Sequence, residues 1–443
     1  MGFGFETRCH ASSRKAFENF RTFVPQFKGV VLPGGERRPV AVSGSRAEGT
    51  ARLLVLSSGS WDASVIDRNA FDRLEASRTV EHFPHTDYVF FRTPESSVRK
   101  LENGLTVFEV AGREPSGPWS RIRWIRRLGL LRSGLQEIDA IARSNPPSAV
   151  LCVDPFLMGL LALRLARKHR VPMVLSLVSH YRASFRAGGV KPVAFLPARV
   201  SFMIEAWVLR RADLVLVHCD FYRRYAIELG ASPERVRPFP CYADAAYYES
   251  APEPGIWQRL GVVDPSPLVY VGRLSPEKYS MDLIRCFARV RQEFPERELV
   301  VIGGAGPLRD EVIREAERLG VAEGLKLVEN LGSQDIFATM AGASVVLAPH
   351  AGYALLESAL AGAPIVAYDF EWHPEIVDHG VTGLLVPYRD WKAMADATVS
   401  LLRDPAWAEG LGAAARERCL RENRREHTLA AVAESYRLVL GVT

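Results

Sequence analysis

The sequence predicts an α/β protein built from two doubly wound parallel sheets in tandem, with a cleft between them. Three observations lead there. Short continuous runs of leucine and β-branched residues recur along the chain, amphipathic helical stretches separate them, and a turn-rich break near the middle divides the series in two. Apolar runs bounded by turns are what strands covered on both faces look like, and strands that alternate with helices call for parallel pairing with right-handed crossovers. At 443 residues the chain also exceeds what one ordinary core holds.

Residues 1–50 stand apart, with an aromatic and basic opening followed by ProGlyGlyGluArgArgPro and GlySerArgAlaGluGlyThr, both turn or linker chemistry. They are expected to form an extension. A first α/β domain is expected over 51–245, on strands at 53–56, 149–153, 172–178 and 213–218. SerAlaProGluProGly at 250–255 reads as a linker. The second domain, 246–423, then carries strands at 268–272, 298–303, 325–328, 344–348, 364–367 and 383–386. Ligands of open α/β sheets bind at the carboxyl ends of strands, so the cleft is the expected site.

Composition narrows the function classes. With 48% apolar and 24% charged residues the chain is neither disordered nor fibrous. Its longest apolar stretch, after Asp154, is broken by Arg164 and falls short of the roughly 20 residues a bilayer span needs. The N-terminus lacks the apolar core of a secretory signal, and Thr7 falls one place late for a myristoylation signal. Six cysteines without a Cys-x-x-Cys pair suit reduced core positions, with no disulfide frame and no metal site. A cytoplasmic protein is expected.

Net charge is only +5, so nucleic acid is not an expected partner. Its placement is uneven. The stretch 121–132 is basic, amphipathic at helical spacing and carries Trp124. A second, 181–211, mixes Arg182, Arg186, Lys191, Arg199, Arg210 and Arg211 with Phe185, Phe195 and Phe202. Both fit peripheral docking on an anionic membrane surface, and both also fit a solvated helix face.

The strand ends of the second half carry the chemistry. After 268–272 come Arg273 and Lys278, two fixed cations that suit a diphosphate, one as a fork and one as a point charge. After 298–303, Gly304 and Gly306 let backbone approach a ligand, although the run ends on Arg309 and completes no GxGxxG fingerprint. Gly352 precedes a helix from about Tyr353, whose first free N–H groups suit an anion, and Glu357 lies just past its first turn.

In order, ValGlyArgLeuSerProGluLys (271–278), ValIleGlyGlyAlaGlyProLeuArg (301–309), AlaLeuLeuGluSerAlaLeuAlaGlyAlaProIleValAla (354–367) and ProGluIleValAspHisGlyValThrGlyLeuLeuVal (374–386) resemble the GT-B glycosyltransferases, family 4 in particular. The first half is similar more loosely, through 212–218 and the AlaAsp of 241–244. The resemblance implies two Rossmann-like domains facing a cleft, with a terminal helix at 424–443 crossing back to the first. It implies retaining transfer from a nucleotide-diphosphate sugar, UDP or GDP, to a carbohydrate or lipid-linked acceptor, without cofactor or metal. Consistently, no Asp-x-Asp occurs.

By that resemblance Arg273 and Lys278 neutralise the donor diphosphate and His180 touches the donor sugar. Gly352, Tyr353 and Ala354 hold phosphate and sugar, Glu357 holds the ribose, Gly304 and Gly306 line the donor loop, and Glu329 and Asn330 face the base. One departure stands out. Where the family carries an acid eight residues before the ribose glutamate, this chain has Pro349, with His350 beside it. Either His350 takes over a sugar contact, or the donor differs, or transfer is lost and the chain is a non-catalytic binding module; a sugar-nucleotide epimerase would want more acids in the cleft.

Overall fold

The computed structural model describes residues 51–58, 82–91, 95–101, 104–112, 123–189, 193, 196–239, 241–242, 255–329 and 331–440. The expected extension 1–50, residues Lys191, Phe195 and Asn330, the AlaAsp pair 243–244 and the start of the 250–255 linker lie outside them.

Two parallel sheets carry the chain, as the sequence predicts. The first contains β1 (Arg52–Ser58), β2 (His85–Phe91), β3 (Ser97–Lys100), β4 (Leu105–Val110), β5 (Ala149–Cys152), β6 (Met173–Leu177), β7 (Leu214–Val217) and β8 (Val236–Pro238). Its order is β3-β4-β2-β1-β5-β6-β7-β8, with only the β3–β4 pair antiparallel. Strands β2, β3, β4 and β8 are absent from the sequence reading. A buried acid disguises β2, where Asp87 is 1% exposed and bonded to Arg52 of β1 at 2.8 Å. Burial raises the Asp87 carboxyl, and the Arg52 guanidinium offsets part of that rise.

The second sheet contains β9 (Leu268–Val271), β10 (Leu299–Ile302), β11 (Leu325–Val328), β12 (Val345–Ala348), β13 (Ile365–Tyr368) and β14 (Leu384–Val386), in the order β11-β10-β9-β12-β13-β14. The order reverses between β9 and β12. A crevice opens outside the carboxyl ends of strands at such a switch point, which makes residues 272–278 and 349–352 its walls.

Buried residues of both sheets form one contiguous cluster, from Leu54 and Val217 through Tyr222 to Trp372, Leu355 and Cys419. Polar contacts also cross between the sheets. Glu375 accepts the Asp220 and Phe221 N–H groups at 2.9 and 2.7 Å, capping the helix Asp220–Glu228 from the other side of the cleft. Tyr353 Oη accepts the Tyr242 N–H at 3.0 Å, and Asn423 donates to the Cys241 carbonyl at 2.9 Å. The helix Arg425–Leu440 lies against the first sheet, where Val432 and Tyr436 are buried with Leu53, Phe83 and Tyr88.

Several basic residues of 181–211 have partners within the protein. Arg182 Nε bonds the fully buried Glu205 at 2.9 Å and its guanidinium covers the Phe202 ring; Arg211 stacks on Trp207, and Arg210 donates to the Leu229 carbonyl. Arg186, Arg199 and Met203 remain exposed. Among the described residues no helix is long and apolar enough to cross a membrane.

Candidate functional site

Three loops meet at the switch point. After β9 the chain enters a short turn, Pro276–Lys278, before the helix Ser280–Glu293. That turn is laced to the loop after β10, since Leu274 N–H donates to Ala305 O and Leu308 N–H to Leu274 O. The lacing requires Gly306, whose φ is +146° and where a Cβ would come within 2.2 Å of Leu274 O. Gly304 serves the sheet instead, donating its N–H to Val328 O at 3.1 Å.

Arg273 stands exposed at the β9 end with its guanidinium 3.4 Å from Glu277. Lys278 is the more enclosed cation. Burial lowers its pKa, Glu277 and Glu371 oppose that shift, and Arg273 adds to it. Its Nζ lies 4.0 Å from where a Cβ on Gly352 would sit, so the ammonium faces the tip of the helix Tyr353–Leu360. Among the described residues no hydrogen bond or ion pair occupies that ammonium.

The loop after β12 turns His350 inward. Its Nδ1 bonds Glu277 O at 2.6 Å and its Nε2 lies 3.4 Å from Glu371 Oε2. Glu371, just beyond β13, has its side chain 3% exposed and its φ at +52°. Across the cleft His180 Nδ1 stands 3.4 Å from Glu371 Oε1, and Tyr222 donates its hydroxyl to Oε2 at 3.3 Å. Burial pushes the Glu371 carboxyl up, but the two imidazoles outweigh it and hold the pKa at about 2.

His373 fixes the frame. It is fully buried, pairs Nδ1 with the Tyr368 carbonyl at 2.9 Å and accepts the Ala351 N–H at Nε2, tying the β12 and β13 loops together. Burial lowers its pKa to about 4, so it is neutral near pH 7.

The structure thus brings together Arg273, Lys278, Gly352, His350 and His180. Glu357 sits half-buried on the second turn of the helix that Tyr353 starts. Tyr353 turns its hydroxyl to Tyr242, and the Ala354 carbonyl accepts from Ser358 Oγ at 2.6 Å. Glu329 lies at the far strand end, 3.8 Å from Arg309. Glu371, His373 and Tyr222 escape the sequence reading. The available signal is AspPheGluTrpHis (369–373), an acid and a histidine directly after a strand.

Comparison with known proteins gives consistent results. Residues 82–241 match the family model "Glycosyl transferase 4-like domain" and residues 258–418 match "Glycosyl transferases group 1". Alpha-maltose-1-phosphate synthase of Mycolicibacterium smegmatis is 30% identical over 265 residues, which span 54% of this chain and 67% of that protein. Among solved structures, sucrose-phosphate synthase from Thermosynechococcus elongatus superposes with a TM-score of 0.71 at 19% identity, covering 89% of this chain and all of that one. HepE of Anabaena, in complex with UDP-glucose, superposes with a TM-score of 0.67 at 17% identity, covering 87% and 99%.

Proposed function

Because the chain belongs to the group 1 glycosyltransferases and has the GT-B architecture, we propose that it moves a sugar, with retention and without a metal, from a UDP or GDP donor in the cleft to a carbohydrate or lipid-linked acceptor. The observation that carries this reading is the half-buried Lys278 ammonium, aimed at a helix tip at the switch point. An ammonium held in low dielectric beside the N-terminus of a helix is arranged for an anion.

Negative charge grows on the leaving diphosphate as the glycosidic bond breaks. Lys278, Arg273 and the amides after Gly352 face that charge and stabilise it more in the transition state than in the ground state. Two protein cations there do what a divalent metal would otherwise supply. Retention follows if the acceptor enters on the face the diphosphate leaves. Assembly of envelope or exported polysaccharide at the inner face of a membrane fits the exposed Arg186, Arg199 and Met203 beside the acceptor side.

The test is calorimetry with UDP and with GDP, each with and without EDTA, followed by NMR assignment of the product anomer. Micromolar binding of one nucleotide, unchanged by EDTA, and a product anomer matching the donor are expected. Failure of both nucleotides to bind refutes the reading.

A further inference from the structure

Position 349 is a proline, which offers no carboxylate, and the neighbouring His350 spends Nδ1 on the Glu277 carbonyl. The strand end of β12 therefore brings no acid to the cleft. One is present 22 positions later in the chain. The Glu371 carboxylate is buried between His350 of its own unit and His180 and Tyr222 of the other, within electrostatic reach of Lys278.

Two features of Glu371 point to a ligand. Its φ of +52° is a left-handed conformation that residues other than glycine and asparagine take rarely, and such strained positions concentrate at binding sites. Among the described residues its one hydrogen bond from the protein, from Tyr222, is 3.3 Å long, and the two imidazoles stand at 3.4 Å as ion-pair neighbours, with His180 Nδ1 making no hydrogen bond. An ionised carboxylate offers about four acceptor sites, so loosely held oxygens have capacity left for stronger donors. Sugar hydroxyls are donors of that kind. A buried carboxylate that rejects a ligand lacking the matching hydroxyl discriminates strongly, because its lone pairs are then left bare.

We propose that Glu371 is the carboxylate that accepts ring hydroxyls of the transferred sugar, entering from the end of β13 to fill the role that Pro349 leaves vacant at the end of β12, and thereby selects the sugar. His180 and His350 are positioning residues that hold its two oxygens. This rests on the donor reading above. It also removes the sequence argument for a non-catalytic module, since the cleft has an acid after all.

The experiment measures binding of UDP, UDP-glucose, GDP and GDP-mannose to the full chain, and hydrolysis of both nucleotide sugars, for the native protein, Glu371→Gln and Glu371→Asp. Glu371→Gln keeps shape and size, and circular dichroism checks its folding. Nucleotide affinity should change by less than about 3-fold, while the sugar nucleotide that the native protein prefers should lose about 10- to 10²-fold in kcat/KM. Glu371→Asp should recover part of that loss. Native protein should also discriminate against 3-deoxy or 4-deoxy analogues of that donor, and Glu371→Gln should not. A merely structural role would leave that discrimination intact and depress nucleotide and sugar-nucleotide binding together, and either outcome overturns the assignment. Unchanged kcat/KM in Glu371→Gln overturns it as well. Absence of nucleotide binding in the native protein would instead sink the donor reading itself.

Discussion

Replacing Lys278 by methionine removes a charge while keeping most of the stem, so it isolates the ammonium. The Nζ faces the tip of the helix Tyr353–Leu360, 4.0 Å from the Cβ position of Gly352. A diphosphate oxygen at that tip would sit about 4 Å from the ammonium, where two unit charges at an effective dielectric of about 20 interact by about 4 kcal/mol. Losing one comparable donor to an oxyanion costs enzymes about 10²- to 10³-fold in rate. Lys278→Met should therefore weaken UDP or GDP binding and turnover by about two orders of magnitude. The parent nucleoside, which carries no phosphate, should bind native and variant protein alike. Protonation gives a second readout. Burial depresses the lysine pKa, so native affinity should fall with rising pH earlier than an ordinary lysine at 10.5 would allow, and the variant should lose that dependence. Isothermal calorimetry from pH 7 to 10 measures both. Equal losses for nucleotide and nucleoside, or no loss for either, would refute the placement of the diphosphate.

Three further outcomes follow from the geometry. Burial holds His218 and His373 at about 4, whereas an unfolded histidine titrates near 6.5. The unfolded chain thus binds more protons between those values, and stability should fall as pH drops from 6.5 to 4, by up to about 1.4 kcal/mol per unit for each histidine; urea unfolding of His373→Gln should show a shallower slope, and parallel curves would contradict the assignment. Gly306→Ala places a methyl 2.2 Å from Leu274 O at a φ of +146°, so it should cost about 2 kcal/mol or more and lower Tm by several degrees. Glu375→Ala removes the cap that one unit gives the helix Asp220–Glu228 of the other, a loss of about 1 to 2 kcal/mol, and limited proteolysis at the boundary should accelerate while an unaltered digestion rate would show the cap to be idle.

The architecture was largely legible because covered strands write themselves as unbroken apolar runs. LeuValTyrVal, LeuValValIle and ValValLeuAla fall at β9, β10 and β12, within a residue or so of expectation. The outer strands of the first sheet were not legible for physical reasons. Asp87 interrupts β2 because Arg52 neutralises it, and β4 alternates buried and half-buried residues beside an edge hairpin. At the cleft, the cations and the glycine-led helix tip could be read because they sit at fixed offsets from strand ends. Glu371 could not, because its one local signal, an acid closely following a strand in AspPheGluTrpHis, does not separate a cleft acid from a surface one. Its burial comes from His180 and Tyr222, about 190 and 150 positions away in sequence, and only the folded chain brings them together.

The helix Arg425–Leu440 gives the chain an unusual timetable. Val432 and Tyr436 close the apolar face that Leu53, Phe83 and Tyr88 present, yet the ribosome makes them only after the entire second sheet. During synthesis the earliest strands wait with that face open, and a chain cut before residue 425 would leave it bare for good. Attempts to produce the leading half alone should therefore yield sticky, aggregation-prone material unless the distant helix is supplied, even as a separate peptide.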